Sequence, residues 1–141
     1  MISAPATREC SCHCGGVRFT INLPEKLRAT RCDCSICSMK GVVMVGVPLD
    51  DLTLAAGEEL LSCYEFNTRA AKHFFCSRCG IHCFHRRRAD PTQYGVNAAC
   101  IHGMSPYYDF PELPVVDGVN HPSDGARPRL AGRLIFLPEP K

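Results

Sequence analysis

The chain has 141 residues, enough for one hydrophobic core but too few for two ordinary ones, and 16 Lys plus Arg against 14 Asp plus Glu leave a net charge of only +2. That balance is far from the concentrated positive charge of a nucleic-acid binder, and no stretch is long and apolar enough to span a membrane. Eleven cysteines are the outlier in the composition. They set the compartment question: Met1 to Glu9 lacks the apolar run of a secretory leader, so the expectation is a cytoplasmic protein whose thiols stay reduced. An odd number could not form a complete set of disulfides, so metal, catalysis or packing must account for them.

In chain order, short apolar or alternating runs predict strands at 17–21, 42–47, 61–66, 71–75, 81–85, 94–98 and 134–137, with a further strand pattern over 52–66. Gly15-Gly16, Pro24, Gly41, Pro48, Gly57, Gly80 and Pro91 punctuate them as turns. The one helix candidate is short, Ser35 to Lys40, and no helical period persists beyond two turns. From Pro106 to Leu130 the composition shifts to Pro, Gly, Asp and Asn, which predicts a long loop that is either functional or disordered. The pattern is that of an all-β single domain over residues 1–141, with its core from about 8 to 137.

Three cysteine clusters carry the chemistry: Cys10-Ser11-Cys12-His13-Cys14-Gly15, Cys32-Asp33-Cys34-Ser35-Ile36-Cys37, and Cys76-Ser77-Arg78-Cys79-Gly80. In the third, a tight turn brings two sulfurs together, and Gly80 permits the positive φ that lets the backbone leave a metal without a Cβ clash. Cys12 and Cys14 can supply the other half of a closed four-thiolate zinc site, unless they are simply small buried hydrophobes. Cys32, Cys34 and Cys37 have no obvious fourth partner. Either Cys10, Cys63, Cys83, Cys100 or a histidine completes a second structural site, or one position stays open, the mark of a catalytic zinc. Three thiolates on a divalent ion leave one net negative charge, a poor generator of hydroxide but a good host for a further thiol.

The succession Cys12-His13-Cys14-Gly15-Gly16, Cys32-Asp33-Cys34-Ser35-Ile36-Cys37 with Gly41, and Phe75-Cys76-Ser77-Arg78-Cys79-Gly80 resembles the glutathione-dependent formaldehyde-activating enzymes, the family that includes the centromere protein V domain. The resemblance implies an all-β fold of the β-tent type. It implies a structural zinc on Cys12, Cys14, Cys76 and Cys79 and a catalytic zinc on Cys32, Cys34 and Cys37, two zinc ions per chain. It further implies a carbon-sulfur lyase joining glutathione to formaldehyde as S-hydroxymethylglutathione.

The remaining candidates divide by position. His121, in the long loop with Asp117-Gly118-Val119-Asn120, is placed to protonate a nascent alkoxide, whereas Tyr107 and Tyr108 read as loop packing. His85-Arg86-Arg87-Arg88 reads as a solvated turn before a carboxylate clamp. Cys63, Cys83 and Cys100 read as core, and Cys10 as a free thiol outside the site. A zinc deaminase is excluded because Cys63-Tyr64-Glu65 precedes Cys76 too closely and Phe75 stands where that chemistry places Pro. The neighbourhood of Cys100 also differs from a type B methionine sulfoxide reductase. The rival is a non-catalytic module, a glutathione carrier or protein-interaction domain held by zinc. The expected partner is a small thiol, with neither nucleic acid nor membrane, and a homodimer is left open.

Overall fold

A computed structural model describes residues 6–141, so most of the Met1 to Glu9 stretch read for a leader lies outside the described residues. Eleven strands and one short helix make the chain all-β, as the alternation predicts: β1 Ala6–Ser11, β2 Arg18–Leu23, β3 Ala29–Cys32, α1 Ser35–Lys40, β4 Met44–Pro48, β5 Leu52–Ala56, β6 Leu61–Tyr64, β7 Lys72–Cys76, β8 His82–Arg86, β9 Gln93–Asn97, β10 Glu112–Val116 and β11 Leu130–Ile135. A three-stranded sheet runs β1-β2-β5, and an eight-stranded sheet runs β11-β10-β3-β4-β9-β8-β7-β6.

Strand β2 shows why the sheets pack. Phe19, Ile21 and Leu23 alternate inward while Arg18 and Asn22 face water, the period of a sheet with one covered face. They meet Val45, Val47 and Val96 of the large sheet around Phe84, whose ring lies 5.1 Å from each of Phe19, Phe74 and Tyr94. Each such buried side chain contributes roughly 1.5–3 kcal/mol by leaving water. A bridge between Cys10 and Ile101 ties the small sheet to the turn after β9.

Three differences from the sequence reading have physical causes. The stretch from Pro106 to Leu130 is not all loop: it contains β10, which pairs antiparallel with β11 and parallel with β3 through Val115–Arg31 and Val116–Cys32. Pro114 disguised it, yet that residue stands outside the β3 pairing, so its missing N–H breaks no bond on that side. Strands β1 and β3 escaped because ATRECS and ATRC carry few large apolar residues. Cys63 is exposed rather than core, because β6 is the terminal strand of the large sheet and turns its second half to water.

Candidate metal centres and their surroundings

Cys12 and Cys14 follow β1 and approach Cys76 and Cys79 at the turn between β7 and β8, placing the four Sγ atoms within 4.8 Å of one another. The Cys12–Cys14 and Cys14–Cys76 sulfurs are 3.5 and 3.8 Å apart. A tetrahedron with Zn–S of about 2.3 Å has edges of about 3.8 Å, so this donor set fits the ion the sequence calls for. Backbone amides point at the sulfurs as they do in zinc knuckles: Val17 N–H donates to Cys12, Gly16 N–H to Cys14 and Cys79 N–H to Cys76. Gly15 and Gly80 adopt φ of 76° and 79°, so both turns use the freedom expected of Gly80. The Arg78 guanidinium donates to Cys14 at 3.4 Å and, as the main cause, holds that exposed thiol down at about 6.

Cys32, Cys34 and Cys37 form the second group, again with Sγ atoms within 4.8 Å. β3 delivers Cys32; Cys34 caps α1, its sulfur accepting from Cys37 N–H at 3.4 Å; Cys37 lies buried on the first turn. Within the trio the thiols compete. Hydrogen bonds from Cys32 and Cys37 favour the Cys34 thiolate and lower its pKa, while hydrogen bonds to Cys32, first, and to Cys34, with burial, raise the pKa of Cys37. Three sulfurs this close cannot all ionise unaided, and a divalent cation is the partner that would let them. Among the described residues no fourth Cys, His, Asp or Glu joins this group.

The loop after β10 forms one wall. Asp33 Oδ1 accepts from Gly118 N–H at 2.7 Å and Val119 N–H at 3.2 Å, and Asp33 N–H donates to Val116 O. Gly118 sits so close that a Cβ there would be 2.4 Å from Cys32 Sγ and 2.8 Å from Cys34 Cβ. Asp117, 2% exposed, anchors the loop by accepting from Asn120 N–H at 2.9 Å and Arg129 Nε at 2.6 Å; these bonds, the Asn120 amide first, lower its pKa. His121 lies further along, where its Nδ1 accepts from Ser123 N–H at 3.0 Å and caps a single turn.

Sequence reasoning missed the cluster of histidines at the end of α1. His85 is not part of a solvated turn: it is buried in β8, and with His73 and His82 it surrounds Lys40 at the end of α1. Arg86 and Arg88, by contrast, do sit at the surface end, bonding Pro91 O and the Asp124 carboxylate. Cys83 and Cys100 are core, and Cys10, also buried, has its thiol pushed up to about 12 by that burial. Strict alternation along β8 would have set His82 apart from His85, but the register shift in its pairing with β7, Phe74 with Phe84 and then Phe75 with His82, brings the two rings to 5.9 Å, so the cluster had no signal in the sequence.

Two cysteine groups in an all-β frame define the class: a protein with one four-thiol group and one three-thiol group, each able to hold a metal ion. The sequence profile of the glutathione-dependent formaldehyde-activating enzymes matches residues 7–110, well over half of the chain, and the chain belongs to that family. A crystal structure of a Rhodobacter sphaeroides protein is 42% identical, superimposes with a TM-score of 0.72, and covers 76% of this chain and 98% of its own. A Halomonas elongata protein, named as a candidate glutathione-dependent formaldehyde-activating enzyme, is 38% identical over 79 residues. The chain spans about half the length of that curated relative, and the match likewise takes in half of this chain.

Proposed function

We propose that the protein is a zinc-dependent carbon-sulfur lyase that joins glutathione to formaldehyde, or to a similar small aldehyde, at the three-cysteine centre. The observation that carries this reading is the unequal ligand count: four thiols close one centre, three leave a coordination position at the other. Family membership supports the substrate pair. The closed centre on Cys12, Cys14, Cys76 and Cys79 holds the β1–β2 and β7–β8 turns together as a structural zinc.

Zinc held by Cys32, Cys34 and Cys37 would supply a soft Lewis acid that keeps a substrate thiol deprotonated at neutral pH. The chain's own residues do the rest. Asp33 clamps the Gly118 loop over the cysteines and narrows the space beside them. An aldehyde confined there meets the thiol sulfur at high effective concentration, and the gain comes mostly from proximity. The sulfur forms a bond to the carbonyl carbon, the C=O π pair moves to oxygen, and that oxygen takes a proton from a bound water or His121.

Exchange spectroscopy can follow S-hydroxymethylglutathione formation by the zinc-loaded protein and by Cys34→Ser, with calorimetry reporting glutathione binding. The expected result is an exchange rate above the uncatalysed one, lost together with glutathione binding in Cys34→Ser. Binding without rate enhancement would instead identify a carrier, and neither would remove glutathione as the ligand.

A further inference from the structure

Lys40 is the last residue of α1, three positions after Cys37, a spacing that puts both on one side of the helix. Its Nζ lies 2.7 Å from His73 Nδ1 and 3.4 Å from His82 Nε2. An ammonium donates and cannot accept, so both ring nitrogens act as acceptors and each ring carries its proton on the other nitrogen. His85 completes the cage: its ring centroid is 5.4 Å from His73 and 5.9 Å from His82.

The cage is neutral. Burial, with the Lys40 charge as the next cause, lowers His73 to about 4, His82 to about 2 and His85 to about 3. Among the described residues no carboxylate pairs with Lys40. The groups that favour its charge are the sulfurs of Cys37, Cys34 and Cys32. Burial outweighs them and brings Lys40 down to about 8, close to the ordinary range of a free thiol. The cage also keeps spare hydrogen-bonding capacity, since His73 Nε2 and His85 Nδ1 are buried without partners. Lys40 is not sealed off: with His82, Arg31 and Gly41 it lines a cavity of about 610 Å³, large enough for a tripeptide thiol.

We propose that Lys40 is the proton shuttle of the three-cysteine site, taking the proton that the incoming thiol releases and returning it to the oxygen formed when the sulfur adds to the aldehyde. This rests on the carbon-sulfur lyase reading. The step balances without a further reactant: the thiol S–H breaks and its proton passes to the lone pair of Lys40 in its amine form, whose two N–H bonds still serve His73 and His82, the C–S bond forms as the C=O π bond breaks, and the resulting ammonium gives a proton to the alkoxide. Lys40 ends each cycle as it began.

The test uses the zinc-loaded full chain and glutathione with formaldehyde, read by exchange spectroscopy, for wild type, Lys40→Met, Lys40→Arg and Lys40→Ala. Lys40→Met and Lys40→Arg are expected to keep both metals and to lose about 100-fold of the catalysed rate, since a guanidinium keeps the charge but cannot give up its proton. Added methylamine should restore rate to Lys40→Ala in a concentration-dependent way, which a merely structural role would not allow. If Lys40→Met fails to fold, Lys40→Arg and the methylamine rescue decide the matter. A wild type no faster than the uncatalysed exchange sinks the lyase reading and the shuttle with it. An active wild type matched by Lys40→Met or Lys40→Arg, or a Lys40→Ala that methylamine leaves unchanged, sinks the shuttle alone.

Discussion

At Gly118 the backbone touches the sulfur of Cys32, and a single methyl has nowhere to go: its neighbours at 2.4 and 2.8 Å are the Cys32 sulfur and the Cβ of Cys34. Gly118→Ala should therefore push Cys32 out of the trio, lowering zinc affinity at that centre by at least 10-fold while leaving the four-cysteine centre loaded. Competition against a chromophoric chelator would show it, and an unchanged two-metal titration would mean the loop yields more easily than these contacts imply. The histidine cage offers a second test at this scale. His85 is 7% exposed, stays neutral when folded down to about 3, and takes a proton near 6.5 when unfolded. Between those values the unfolded chain binds more protons, so stability present above pH 6.5 is lost as the pH falls. His85→Phe keeps an aromatic ring over Gly95 but cannot titrate, so its urea-unfolding free energy should fall less steeply from pH 6.5 to 5, by up to about 1.4 kcal/mol per pH unit. Metal loss affects both proteins alike, and parallel slopes would show that burial does not keep His85 neutral.

The two knuckles join elements that share no ladder: one follows β1, at the edge of the small sheet, and the other links β7 to β8 in the large one. Cys76→Ser should thus do more than remove a ligand. Losing the closed centre forfeits a clamp between sheets, worth on the order of 10 kcal/mol of binding free energy when zinc is present, so thermal unfolding should drop by 10 °C or more with one metal gone. Calorimetry beside metal analysis checks this, and an unchanged Tm would refute the structural assignment. Both knuckles were legible because their ligands lie two or three residues apart beside a glycine, so local spacing encodes their geometry. The same holds for α1, whose bounds at Ser35 and Lys40 match the expectation, with Gly41 in the left-handed region ending it. What could not be read locally is what the topology assembles. Lys40, His73, His82 and His85 come from three elements, and nothing in their spacing announces that β7 and β8 fold their histidines onto the end of α1. β10 was hidden for a different reason: Pro114 interrupts it, and its partner β3 has only four residues and few large side chains, so neither strand carries a period strong enough to reveal the pair.

For the molecule as a whole, the decisive quantity is how the two centres differ. The four-cysteine group joins thiols from beside both sheets, so a metal held there could not leave without parting them, whereas the three-cysteine group draws its thiols from one stretch of six residues, Cys32 to Cys37. Release from that stretch requires only local motion of α1 and the Gly118 loop, and local opening costs less than global unfolding. Stepwise chelation should therefore remove one zinc early with the far-UV spectrum intact, and the second only as the strand signal collapses. Glutathione, if it takes the remaining position at the three-cysteine centre, should delay the early step alone, because a ligand stabilises only the state it binds. Native mass spectrometry through the titration would count both ions directly. Simultaneous loss of both metals would mean that the Cys32–Cys37 stretch is as deeply built into the fold as the knuckles are, and a centre of that kind would be a second staple rather than a place where ligands exchange.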